Sequence, residues 1–181
     1  MNAEIHPLLP NITRPIVLIG LMGVGKSTIG RRMSQRLSLA FVDADQEIET
    51  AAGMTISEIF ERYGEASFRD GERRVIARLM DGKPKIIATG GGAFMNDATR
   101  ALILEQGIGV WIDADIDVLA ERVGRKDNRP LLIGKDPRKI LRELSEIRNP
   151  VYALAPIHVQ SQSTPHDGTV DLILEKLACH A

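Results

Sequence analysis

The chain has 181 residues, 44% of them hydrophobic, and a formal net charge of −1, a size that suits one compact domain with its own core. The balanced charge argues against nucleic acid or an anionic membrane as the main partner. Aromatic residues make up only 4% and Cys179 is the single cysteine, so an aliphatic core, no internal disulfide and a reducing compartment are expected.

Residues Met1 to Pro10 lack the basic start and apolar run of a signal peptide. No stretch reaches the ~20 apolar residues of a membrane helix, which makes the cytoplasm the expected location. With Pro7, Pro10 and Pro15 close together, residues 1–14 read as a flexible lead-in. Residues 15–181 then form a single domain. Ile16-Val-Leu-Ile19 predicts a strand buried on both faces. Ile29, Met33 and Leu37, four apart, predict an amphipathic helix from Lys26. Phe41-Val42 is a second strand ending at Asp43, and Asp45 to about Ala51 is helical. A long helical tract from Thr55 to about Met80 is expected to break at Gly64.

Lys85 to Thr89 is a third strand running into Gly90-Gly-Gly92. A helix through Leu102, Ile103 and Leu104 leads to a fourth strand, Gly109 to Asp113, and Asp115 or Asp117 caps the next helix towards Arg122. From Gly124 to about Pro137 the pattern lapses into a long polar loop. Arg138 to Tyr152 is helical, Ile157-His-Val159 a fifth strand, and Val170 to Leu177 a last helix. His158, mid-strand, reads as a packed core histidine, and His6, His166 and His180 suggest no role. Strands alternating with helices predict an α/β fold, a three-layer α/β/α sandwich on a five-stranded parallel sheet with right-handed crossovers. No heptads or large apolar patch can be read, so a monomer is the default.

Gly20-Leu-Met-Gly-Val-Gly-Lys-Ser27 fits the Walker A spacing between a strand and a helix. Backbone amides of Gly23, Val24 and Gly25 can cradle phosphates at a helix N-terminus, and Thr28 extends the cradle. Lys26 can reach the β- and γ-phosphates of ATP, and the Ser27 hydroxyl can ligate Mg²⁺. A GTPase would carry an Asn-Lys-x-Asp segment and a transporter ATPase a Leu-Ser-Gly-Gly signature; neither is present. A small domain with a long polar loop and scattered arginines suits a small-molecule kinase, which must exclude water with a lid. Asp43 and Asp45 follow the second strand, where strand ends face the same crevice as the phosphate loop. One carboxylate can hold Mg²⁺ through water and the other can take the acceptor's proton. The competing reading of either one is a helix N-cap.

An ordered set of segments resembles the shikimate kinases from about Ile16 to Val159. After the phosphate loop come Phe41-Val-Asp-x-Asp-x-x-Ile-Glu49, Ile56-Ser-Glu-Ile-Phe60 and Gly64-Glu-x-x-Phe-Arg-x-x-Glu72. Thr89-Gly-Gly-Gly92, Arg129-Pro-Leu-Leu132 and Arg148-Asn-Pro-Val-Tyr152 complete the set. The resemblance implies a nucleoside-monophosphate-kinase type of fold with a lid at about 122–136, and transfer of the γ-phosphoryl group of ATP to the 3-hydroxyl of shikimate. It implies that Asp45 is the base and that Asp43 supports Mg²⁺ through water. Arg69 and Arg148 would grip the shikimate carboxylate with the amides of Gly91 and Gly92, Glu72 holding Arg69 in place. Arg129 would swing over the phosphates, and Arg122 would pack against adenine. Two arginine forks select an acid over a neutral polyol. Read without the resemblance, Arg69 and Arg148 rank with Arg62 and Arg142 as surface ion-pair residues. Ile59 and Phe60 could line the ring side of the pocket but at helical spacing read as core, and no site residue is placed in Ser161 to Gly168, the stretch expected to close over adenine. A kinase of another acidic polyol, such as gluconate, should lack the Phe-Arg-x-x-Glu and Arg-Asn-Pro-Val-Tyr pairing. A regulatory protein on a degenerate kinase fold is disfavoured because Lys26, Ser27, Asp43 and Asp45 are intact.

Overall fold

The computed structural model describes residues 12–124, 132, 134–161 and 166–180. Five strands, β1 (Ile16–Ile19), β2 (Phe41–Asp43), β3 (Ile86–Ala88), β4 (Ile108–Asp113) and β5 (Ile157–Gln160), form one parallel sheet in the order β2-β3-β1-β4-β5. The strand order reverses direction at β1. With right-handed crossovers, that reversal sends α1 (Lys26–Leu37) over one face, where α7 (His166–His180) packs beside it. The crossovers through α3 (Ile56–Leu79), α4 (Asp97–Gln106) and α6 (Pro137–Tyr152) then fall on the other face. Two shorter helices, α2 (Ala44–Ala52) and α5 (Ile116–Gly124), pack against α3 and α6 respectively.

The central strands are buried on both faces, which is why they read as unbroken aliphatic runs. Ile16 to Ile19, Ile86, Ile87, Val110 and Ile112 are fully buried, and Ile12, ahead of β1, joins the same core. Local signals set the helix ends. Thr55 and Glu58 form a capping box on α3, Asn96 caps α4, and Asp136 caps α6 with Pro137 in its first turn. Asp115, not Asp117, caps α5 by accepting from the Asp117 amide at 2.8 Å. Gly64, at φ 80° and ψ 174°, breaks α3 as expected. The last helix starts at His166, earlier than the predicted Val170, and buries Thr169 with Val170, Ile173, Leu174 and Leu177.

One core assignment is overturned. β5 is an edge strand, so its side chains alternate between core and solvent. His158 falls on the outer face, its side chain 48% exposed and 3.5 Å from Asp113. Its ring stacks on Trp111 at 3.9 Å between centroids. No helix among the described residues is long and apolar enough to cross a membrane.

Candidate active site

Parallel register brings the carboxyl ends of β1, β2 and β3 to one level: Leu18 pairs with Ala88, and Ala88 with Asp43. The phosphate loop, the Asp43–Asp45 segment and the Gly90–Gly92 turn leave from this edge, at the point where the strand order reverses. They line a cleft of about 850 Å³ together with α3, α6 and the start of α7.

At one end lies the loop from Gly20 to Ser27. Gly23 and Gly25 take φ values of 83° and 94°, open to glycine at little cost. The Lys26 ammonium donates to the carbonyls of Gly20 at 2.7 Å and Leu21 at 2.9 Å, which holds the charge at the loop. Gly23, Gly25, Lys26, Ser27 and Thr28 line the cleft, whereas the Val24 side chain is buried in the core and leaves only its backbone for a ligand. Arg122, on α5, reaches over the loop and donates to the Gly23 carbonyl at 3.4 Å.

Asp43 caps a helix and also faces the phosphate loop. One carboxylate oxygen accepts from the Ser27 hydroxyl at 2.6 Å. The other caps α2 by accepting from the Asp45 amide at 3.1 Å. The Ser27–Asp43 pair supplies hard oxygen donors beside the phosphate loop, a set that fits Mg²⁺ held mainly by water and phosphate. Among the described residues there is no cluster of three or more His, Cys, Asp or Glu side chains able to hold a metal on its own.

At the other end, three segments far apart in sequence close on the glycine turn. A Cβ at Gly90 would stand 3.1 Å from Asp45 Oδ1 and 3.0 Å from Glu72 Oε1. One at Gly91 would stand 2.9 Å from Arg148 Nη1. One at Gly92 would stand 2.6 Å from both Cζ and Nη2 of Arg69. The turn is made of glycine because the arginines and carboxylates occupy the space a side chain would need.

Arg69 pairs with Glu72 at 2.8 Å, the carboxylate side chain being only 4% exposed. Burial pushes the Glu72 carboxyl above its usual range against the pull of Arg69 and, more weakly, Arg148. Its Oε1 is buried with no hydrogen-bond partner among the described residues. Arg148 is 8% exposed, far from the surface ion-pair residue that composition alone suggests. Tyr152, fully buried, donates its hydroxyl to the Gly91 carbonyl.

The cleft therefore brings together Lys26, Ser27, Asp43, Asp45, Arg69, Glu72, Gly91, Gly92, Arg122 and Arg148, all expected from the sequence. Arg129, with the rest of 125–131 and 133 in the expected lid, lies outside the described residues. Two readings are refined. Ile59 is core, and Phe60 packs against the core while also lining the cleft, its ring 4.8 Å from Phe68. His166, given no role in the sequence, also lines the cleft. Its Cε1 would be 2.8 Å from a Cβ at Gly25. Burial, and then the charges of Arg122 and Arg32, hold its pKa below the usual imidazole value, while Asp167 pulls the other way. Pattern could not have found it, because the first residue of a helix carries no periodic signal of its own.

Comparisons with known proteins find the same fold and family. A family model described as shikimate kinase matches residues 22–178. A shikimate kinase of Caulobacter vibrioides is 59% identical over 170 residues, 94% of this chain and 85% of that protein. One of Novosphingobium aromaticivorans is 57% identical over 180 residues, 97% of this chain and 93% of that one. The solved structure of a shikimate kinase from Acinetobacter baumannii in complex with shikimate has 34% identity and a TM-score of 0.90, covering 95% of this chain and 98% of the other. Motifs in order, the cleft they build and likeness along nearly the whole chain lead to one assignment: the chain belongs to the shikimate kinase family.

Proposed function

We propose that this chain transfers the γ-phosphoryl group of ATP to the 3-hydroxyl of shikimate, giving shikimate 3-phosphate and ADP. The observation that carries the reading is the single cleft joining a phosphate loop to a carboxylate, Asp45, and two arginines gathered around a glycine turn.

ATP is the phosphoryl donor. Its β- and γ-phosphates lie on the amides of Gly23 to Thr28, with Lys26 turning from the Gly20 and Leu21 carbonyls to the phosphate oxygens. Arg122 and His166 bound the nucleotide end of the cleft. Ser27 would hold Mg²⁺ directly and Asp43 through water, and the ion would neutralise charge on the phosphates. At the acceptor end Arg69 and Arg148, with the amides of Gly91 and Gly92, hold the carboxylate of shikimate. Bidentate guanidinium pairing fixes orientation as well as charge. The 3-hydroxyl then meets Asp45, whose carboxylate takes its proton as the oxygen attacks the γ-phosphorus and the bond to the β-phosphate oxygen breaks. Residues about 122–136 act as the lid of a single kinase domain spanning 15–181, and Arg129 adds positive charge to the transferring group once the lid closes. A monomer is the expected state and the cytoplasm the expected location.

A coupled ADP-release assay with shikimate, with gluconate and with no acceptor tests the reading. Shikimate alone should give fast turnover. Equal rates with and without shikimate would overturn it.

A further inference from the structure

Tyr152 is the last residue of α6, and Arg148 lies one turn before it on the same helix face. Both are buried, Tyr152 fully. A buried hydroxyl must find partners, and this one reaches across 61 positions of sequence to donate to the Gly91 carbonyl. The Arg148 guanidinium lies close to the same hydroxyl, and its charge favours the ionised phenol against the effect of burial. The three groups meet at one point. From the place where a Cβ of Gly91 would stand, Arg148 Nη1 is 2.9 Å away and the Tyr152 hydroxyl oxygen 3.6 Å. Burial raises the pKa of the phenol despite the nearby arginines, so the hydroxyl remains a donor at neutral pH. The Trp111 ring, 6.0 Å from the Tyr152 ring between centroids, packs on its apolar side.

In a trans peptide the carbonyl and the following N–H point in opposite directions. Anchoring the Gly91 carbonyl therefore also fixes the direction of the Gly92 N–H. We propose that Tyr152 is a positioning residue for the acceptor's carboxylate. Its hydroxyl ties the Gly91–Gly92 peptide to Arg148, so that amide and guanidinium present one preset grip. The proposal rests on the reading that the acceptor is shikimate. It assigns the ring of Tyr152 to packing and the hydroxyl to substrate recognition, two roles that one substitution separates.

Tyr152→Phe keeps the ring and removes the tether. The KM for shikimate should rise about tenfold, since misplacing a positioning group by ~1 Å can cost up to about a hundredfold. The KM for ATP should stay within about twofold. The ratio of kcat/KM for shikimate over its methyl ester should fall about tenfold, because only the acid uses the grip. An unchanged ratio, or a parallel rise of both KM values, would overturn the proposal. A second measurement needs no variant: in ¹⁵N-glycine-labelled wild-type protein the Gly92 amide resonance should shift on saturation with shikimate, and an unmoved resonance would also overturn it. A wild type without shikimate-dependent turnover would overturn the functional reading and the tether with it. An active wild type and an unchanged Tyr152→Phe ratio would overturn the tether alone.

Discussion

Gly92→Ala separates fold from function at the acceptor end of the cleft. The backbone of Gly92 sits at φ −92° and ψ −11°, a conformation alanine accepts without strain. At such positions replacing glycine stabilises by ~0.4–1 kcal/mol through the unfolded chain. The new methyl group, however, would stand 2.6 Å from Cζ and Nη2 of Arg69, where ordinary contacts begin near ~3.5 Å. The guanidinium must retreat by about 1 Å. It is the far end of a flexible side chain, 28% exposed, so it can yield.

The cost to stability is a weakened pair with buried Glu72, about 1–3 kcal/mol at most, partly offset by the alanine. Melting should stay within about 10 °C of wild type. The cost to catalysis is larger. One charge-assisted hydrogen bond to the substrate, worth ~1.5–3 kcal/mol, corresponds to about a 10- to 100-fold loss in kcat/KM for shikimate. The ATP end is built by Gly20 to Thr28 and should be untouched. ADP release measured against each substrate in turn, with a thermal melt on the same preparation, checks all three expectations. If Gly92→Ala keeps kcat/KM for shikimate within about twofold, Arg69 does not grip the acceptor. If ATP affinity falls in step, the methyl group has disturbed the whole cleft and the division into two ends is wrong.

Asp45→Asn should lower kcat by about 10²–10⁴ while nucleotide binding, followed by fluorescence of a labelled ATP analogue, is retained; a near wild-type rate would show that Asp45 is not the base. His166→Ala should raise the KM for ATP about fivefold, the worth of one ordinary contact, and leave the KM for shikimate alone; the reverse pattern would move His166 away from the nucleotide. The stability of Glu72→Gln relative to wild type should rise with pH. The native carboxyl has a pKa raised above its ordinary 4.5, so the native state holds that proton more tightly than the unfolded chain. The stabilisation it gives is complete below the ordinary value and is lost as pH rises through the native one. The amide has no such loss. Urea midpoints of both proteins from pH 4 to 8 test this, and a constant difference would refute it.

What the sequence made legible is what local pattern can carry. β1 reads as buried because all four of its residues are apolar and the strand is central. The phosphate loop reads as such because spacing and chemistry coincide at a strand-to-helix junction. His158 was misread because edge position is a property of the sheet: a strand at position five of the order β2-β3-β1-β4-β5 shows one face to solvent, and nothing in Ile-His-Val says so. Phe60 packs against the core and also lines the cleft, which its spacing alone could not tell apart. Helical spacing marks an apolar residue for burial but does not say whether protein or substrate will cover it.

The arginines show where local reading ends. Arg62 and Arg142 are exposed, while Arg148 is buried and Arg69 half-buried, yet all four lie in helical tracts rich in charge. A guanidinium is stable in the interior only when carboxylates, hydroxyls and carbonyls are arranged around it. Here Glu72, on the same helix, pairs with Arg69, and Arg148 sits with the Tyr152 hydroxyl beside the Gly91 turn. Gly90–Gly92 arrives from β3, a third place in the chain, and leaves the arginines room by having no side chains. Each element has an ordinary local explanation: a glycine turn after a strand, a charged helix, a tyrosine ending a helix. Only their meeting raises the requirement on all of them together, since a side chain at the turn displaces an arginine and a lost hydroxyl frees the turn. Substitutions at Gly92 and Tyr152 should therefore weaken acceptor binding non-additively when combined, as residues sharing one network do.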